Sequence, residues 1–123
     1  MTDHSYFALF TRRNDEVVSY AEGETVFEVG DPADCFFVVR SGTVGLWTGD
    51  QILETVGRNG IFGEMAIVDG SPRSATAKAA SDAEVVRVDE SRFRYLVQEA
   101  PYFAQEVMRV MASRLRATTQ RLV

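Results

Sequence analysis

The sequence predicts one mainly β domain, an antiparallel barrel or sandwich, closed by helices at its C-terminal end. Three observations predict it. From Val17 to Val88, short apolar runs alternate with turn signals at the spacing of roughly 8–12 residues that marks such folds. After Asp89 the apolar residues recur at helical rather than strand spacing. The length of 123 residues, with 46% hydrophobic and 25% charged, suits one globular domain with a single core better than two domains, a disordered chain or a coiled coil.

Taken in order, residues 1–16 form an N-terminal arm. Tyr6, Phe7, Leu9 and Phe10 make a short apolar cluster before polar Arg12 to Glu16, and the cluster is expected to dock on the domain as a turn of helix or an irregular arm. The β part spans 17–88. Val17 to Tyr20 reads as a strand, and Val26-Phe27 runs into Val29-Gly30-Asp31-Pro32, a strong turn signal. Cys35 to Arg40 is an apolar strand bounded by Ser41-Gly42. Val44, Leu46 and Trp47 make the next, closed by Gly49-Asp50, and Ile52 to Val56 ends at Gly57 and Asn59-Gly60. Thr76 to Ala80 and the near-alternating Glu84 to Val88 follow.

Residues 89–123 are the helical part. Asp89 is a good N-cap for a helix carrying Phe93, Leu96 and Val97. Pro101 suits the first turn of a second helix reaching nearly to Val123, roughly 33 Å long. That helix has two apolar tracks. One is Phe103, Val107 and Val110; the other is Ala104, Met108, Met111, Leu115, Thr118 and Leu122. Two tracks predict two partners, the β part and a second copy of the chain in a homodimer. The alternative is that both tracks pack within one chain. No linker or repeat divides 1–123, so it is read as a single domain.

Charge and composition exclude several functions. The net charge is −5, against the basic footprint of a nucleic-acid-binding domain, so no direct nucleic-acid binding by this chain alone is expected. No apolar stretch approaches the roughly 20 residues of a membrane span, and the N-terminus lacks a signal pattern. The lone Cys35 reads as a small buried hydrophobe, consistent with a reducing, cytoplasmic setting. His4 is the single histidine and sits near a terminus expected to fray. No metal site, no haem site and no histidine-based catalytic group is expected from it, so the chain is read as not an enzyme.

The stretch from Gly60 to Thr76 carries the chemistry. Gly63 permits an unusual backbone angle or a close approach. Glu64 to Ile67 fits about one helical turn with free N–H groups. Pro72 fixes the chain before Arg73, whose guanidinium can grip a phosphate through two parallel hydrogen bonds. Ser74 adds a hydroxyl and Ala75 an accessible N–H. Glu64 brings a carboxylate, which repels phosphate but accepts hydrogen bonds from sugar hydroxyls. A ligand with a phosphate beside a ribose hydroxyl satisfies both groups. The competing reading is a plain surface ion pair between Glu64 and Arg73, worth under about 1 kcal/mol.

This stretch closely resembles the phosphate-binding cassette of cyclic-nucleotide-binding domains of the catabolite activator type. Phe62-Gly63-Glu64-Met65-Ala66-Ile67 and Pro72-Arg73-Ser74-Ala75-Thr76 match in order without a gap. Glu22-Gly23-Glu24 leading to Gly30-Asp31, and Phe36 to Val39 leading to Ser41-Gly42, match upstream. The resemblance implies an eight-stranded antiparallel β-roll with flanking helices and a long C-terminal dimer helix. It implies that Arg73 binds a cyclic phosphate and Glu64 the ribose 2′-hydroxyl, with Gly63, Met65, Ser74 and Ala75 completing the grip. Leu46 and Leu53 fall where apolar residues line the family's pocket; the alternative for each is barrel core, and the two roles are compatible. Thr118 and Thr119 fall where the adenine edge is touched, one of them across the dimer; the alternative is a fraying helix end. Arg114, one turn earlier, is placed to pair with Glu64. Ser74 and the two threonines favour cAMP, and cGMP stays open.

The resemblance thus implies a regulatory sensor module whose ligand orders the last helix, read out by a protein effector of unknown identity. The catabolite activator continues into a helix-turn-helix domain, whereas this sequence stops at Val123. It is expected to be such a sensor without its DNA-binding part. A structural domain that kept the roll and lost the ligand is the alternative from another class.

Overall fold

The computed structural model describes residues 16–121, with side chains through residue 117. Tyr6, Phe7, Leu9, Phe10 and His4 therefore lie outside the described residues, as does Leu122. Among the described residues eight strands and three helices follow one another: β1 (Val17–Tyr20), β2 (Thr25–Phe27), β3 (Cys35–Ser41), β4 (Val44–Thr48), β5 (Gln51–Val56), β6 (Ile61–Phe62), α1 (Glu64–Asp69), β7 (Thr76–Ala79), β8 (Ala83–Asp89), α2 (Glu90–Glu99) and α3 (Pro101–Arg121). The strands make two four-stranded sheets, β1-β8-β3-β6 and β2-β7-β4-β5. Every pairing is antiparallel. This is the mainly β roll with C-terminal helices that the sequence predicts.

The packing explains why the strand signals are uneven. Phe37, Val39, Val44, Leu46, Phe62, Ala77 and Val85 fill the space between the sheets. Phe36, Val38, Ile61, Val86 and Val88 point the other way, onto Phe103, Val107 and Val110 of α3 and Ile67 of α1. β3 and β8 are central in the first sheet and covered on both faces, so Cys35 to Val39 is buried throughout. The same cover breaks the alternation expected from Glu84 to Val88, because neighbouring Val85 and Val86 are both buried. The two-residue β6 is not predicted from sequence, since two residues show no period. It exists because Phe62 and Ile61 pair with Phe37 and Val38.

The helices start where their signals stand. The Asp89 carboxylate accepts a hydrogen bond from the Arg92 N–H at 2.8 Å, capping α2, and α3 begins at Pro101. Phe103, Val107 and Val110 bury the first track of α3. On the second track Ala104 and Met111 are half-buried, while Met108 and Leu115 are 61% and 62% exposed. No helix among the described residues is long and apolar enough to cross a membrane.

Candidate functional site

Between β6 and β7 the chain passes from one sheet to the other, and the crossing builds the site. Gly63 turns the chain at φ 80°, in the left-handed region. A Cβ there would lie 2.7 Å from Arg73 Nη1 and 3.4 Å from a ring carbon of Phe27. Glycine is therefore required for both its backbone angle and its lack of a side chain. Helix α1 follows, six residues rather than the single turn expected. The returning chain is splinted to the Val29–Pro32 turn. Arg73 N–H donates to the Asp31 carbonyl at 2.9 Å and Gly30 N–H to the Arg73 carbonyl at 2.8 Å. Val29 N–H donates to Thr76 Oγ1 at 3.0 Å.

Arg73 is only 5% exposed. Its Nη1 donates to the Gly63 carbonyl at 2.9 Å and its Nη2 to the Cys35 carbonyl at 2.7 Å. The guanidinium carbon sits 4.3 Å from the centre of the Phe27 ring and 5.7 Å from that of Phe37. These contacts hold the group rigidly, and aromatic faces favour a cation. None of them neutralises it. Among the described residues no carboxylate pairs with Arg73, and its buried Nε has no hydrogen-bond partner. Burying a cation without a counter-charge is unfavourable, so the arrangement suits an anion.

Glu64 is 1% exposed and is partnered differently. Its Oε1 accepts a hydrogen bond from Arg114 Nη1, reaching across from α3. Arg114 also donates from Nε to Glu54 Oε1 at 2.8 Å and from Nη2 to Glu54 Oε2 at 3.2 Å. A further bond from Nη2 meets the Ile61 carbonyl at 2.5 Å. Burial alone would lower the pKa of Arg114. The charge of Glu64 and the hydrogen bonds to Glu54 outweigh that and raise it above the ordinary arginine value. The plain surface ion pair between Glu64 and Arg73 is thus ruled out: both are buried and each has other partners.

A cavity of about 410 Å³ opens between these groups, within the size range of small-molecule sites. Gly63, Glu64, Met65, Arg73, Ser74 and Ala75 line it from the crossing. Leu46 and Leu53 line it from the second sheet, and Leu115 and Ala117 from α3. Leu46 is also core, so both of its readings hold. Thr118 and Thr119 follow Ala117 in α3, and their side chains lie outside the described residues. Sequence reasoning missed Phe27, Glu54, Thr48 and Gln51, which also line the cavity. The one local signal was a charge, Glu54, interrupting the apolar run of β5. Among the described residues no group of His, Cys, Asp or Glu is arranged to hold a metal ion.

Residues 17–100 match the family model of the cyclic nucleotide-binding domain. The chain belongs to the cyclic nucleotide-binding domain family. A CRP-like cAMP-activated global transcriptional regulator of Mycobacterium tuberculosis is 30% identical over 110 residues, covering 85% of this chain and 49% of the relative. The chain spans about half the length of the curated relatives it matches. Among solved structures, the Thermus thermophilus catabolite activator protein has a TM-score of 0.78 at 29% identity, covering 97% of this chain and 57% of its own. The cGMP-bound form of the EAL enzyme Bd1971 has a TM-score of 0.67 at 33% identity over 86% of this chain and 30% of its own. A cAMP-bound form of the same enzyme has a TM-score of 0.66 at 31% identity over 85% of this chain and 29% of its own. In this cyclic nucleotide-binding domain the Gly63–Ala75 crossing lies inside the span that matches the family model.

Proposed function

We propose that this domain is a non-enzymatic cAMP sensor. Arg73 binds the cyclic phosphate, Glu64 accepts from the ribose 2′-hydroxyl, and the end of α3, with Thr118 and Thr119, meets the adenine. The observation that carries the reading is the Arg73 guanidinium. It is buried, braced by two carbonyls and two rings, and uncompensated by any acid among the described residues. A monoanionic phosphate ester supplies the missing charge and an acceptor for Nε. The backbone N–H groups around Met65 and Ala75, with the Ser74 hydroxyl, are the further donors.

The neighbouring sugar is the chemistry that reconciles Arg73 with a buried carboxylate in the same cavity. The preference for cAMP is supported by the cAMP-activated regulator at 30% identity. The cGMP-bound form of a 33% identical neighbour supports cGMP as the second reading. Coupling runs through Arg114, which ties α3 to the same Glu64 that meets the sugar. Ligand therefore biases the position of the last helix, and a protein effector reads that position. The exposed track at Met108 and Leu115 is the surface on which a homodimer would form.

Titration calorimetry with cAMP and cGMP, on the wild type and on Arg73→Ala, tests the reading. The expected result is saturable one-site binding, tighter for cAMP. Arg73→Ala should lose roughly 10- to 100-fold in affinity, as expected for charge-assisted hydrogen bonds of about 1.5–3 kcal/mol. Absence of heat with every cyclic nucleotide overturns it.

A further inference from the structure

The wall that the β4–β5 hairpin gives the cavity changes character along its length. Leu46 and Thr48 of β4, and Gln51 and Leu53 of β5, all line the cavity. Positions two apart share one face of a strand, so these four side chains form one inward-facing set. Leu46 and Leu53 are its apolar end. Thr48 and Gln51, directly opposed in the register and joined through Gly49-Asp50, are its polar, exposed end.

The register places that polar end relative to the ligand. β4 pairs Trp47 with Thr76 at the start of β7, so Thr48 continues toward Ser74 and Ala75, where the phosphate is proposed to sit. In the order β2-β7-β4-β5, Gln51 lies two strands from β7, roughly 10 Å away. A nucleotide with its phosphate at Ala75 and its ribose on Glu64 reaches that far only with its base. Among the described residues, the uncharged hydrogen-bonding side chains of the lining are Thr48, Gln51 and Ser74. Ser74 goes to the phosphate, which leaves Thr48 and Gln51 for the base. Glu54, also on β5, is paired with Arg114. Gln51 carries its donor and its acceptor on separate atoms, side by side, so it can meet two neighbouring base atoms at once. Adenine presents such a pair, the N6 donor and the N7 acceptor, and glutamine binds it bidentately; guanine presents two acceptors there, O6 and N7.

We propose that Gln51 is a specificity-determining residue that selects adenine over guanine: its carboxamide oxygen accepts from the N6 amino group and its N–H donates to N7. The inference rests on the proposed seats of the phosphate at Arg73 and the ribose at Glu64. It adds a reader on the β4–β5 hairpin to the adenine contacts proposed for α3, which keep the second N6 hydrogen and the N1 side of the ring.

The test is calorimetric titration of cAMP, cGMP and 7-deaza-cAMP, in which a carbon replaces N7, into the wild type, Gln51→Leu and Gln51→Glu. The wild type should bind cAMP roughly 3- to 10-fold tighter than the deaza compound, the effect of one hydrogen bond. In Gln51→Leu that ratio should fall below about twofold, because cAMP loses two bonds and the deaza compound one. The preference for cAMP over cGMP should narrow by at least about threefold in the same variant. Gln51→Glu keeps the acceptor and loses the donor, so its added charge should weaken all three ligands while the deaza ratio again falls below about twofold. Gln51 is exposed, so both variants should melt with the wild type in the absence of ligand. A deaza ratio near one in the wild type overturns this inference and leaves the cAMP reading standing. So does a deaza ratio or a cGMP discrimination that survives unchanged in Gln51→Leu. Equal loss of all three ligands in Gln51→Leu overturns it too, as a general structural effect. A wild type that binds none of the three overturns both.

Discussion

Replacing Gly63 with alanine perturbs the site through a single methyl group, and the structure gives the size of the effect. At φ 80° an alanine adopts the left-handed conformation at a cost of about 1–2 kcal/mol. Its Cβ also lies 2.7 Å from Arg73 Nη1, too close for any relaxed contact. The guanidinium cannot retreat freely, because the Cys35 carbonyl at 2.7 Å and the Phe27 ring at 4.3 Å fix it from other sides. Losing one charge-assisted hydrogen bond adds about 1.5–3 kcal/mol, for a sum of roughly 3–5 kcal/mol. At about 3–5 °C per kcal/mol for a domain of this size, the melting temperature should fall by on the order of 10 °C or more. Affinity for cAMP should fall at least tenfold, since the displaced group is the proposed phosphate anchor. Gly23→Ala is the matched control. Its φ is 88°, but a Cβ there meets nothing within 4 Å, so only the backbone cost applies and binding should be unchanged. Thermal unfolding and calorimetry on both variants decide the matter. A Gly63→Ala protein that melts with Gly23→Ala and binds cAMP like wild type would refute the reasoning.

Arg114→Ala strands the buried Glu64 carboxylate and should destabilise the domain by about 3–5 kcal/mol in urea unfolding, whereas Arg114→Lys, which keeps the charge, should cost less. Asp89→Ala removes the side-chain cap of α2 and should cost about 1 kcal/mol with no change in cAMP affinity, since Asp89 does not line the cavity. Burial pushes the Cys35 thiol above its ordinary pKa, against Arg87 and Arg73, which favour the thiolate. A raised folded pKa gives stability that is complete below the unfolded value, near pH 8.5, and is lost as pH rises through the folded value. The urea midpoint should therefore drop more between pH 7.5 and 10 in the wild type than in Cys35→Ala; equal drops in the two proteins would contradict the assignment.

Local signals made the crossing legible. Gly63, Glu64, Pro72 and Arg73 sit within a dozen residues, and each owes its place to backbone angle, charge or both. The caps and turns at Asp89, Pro101 and Val29–Pro32 were legible for the same reason. What sequence did not reveal depends on distant parts of the chain meeting. Phe27 and the Cys35 carbonyl brace Arg73 only because the two sheets face each other across the core. Glu54 of β5 and Arg114 of α3 meet although 60 residues separate them in the chain. The pairing of Arg114 with Glu64, 50 residues apart, came from the family resemblance and not from any local pattern.

A crystal structure of the domain grown with cAMP addresses the phosphate anchor most directly. It should show phosphate oxygens at hydrogen-bond distance, about 3 Å, from the Arg73 guanidinium, with the ribose hydroxyl on Glu64. Density for the nucleotide elsewhere, or a phosphate turned away from that arginine inside the same cavity, would contradict it.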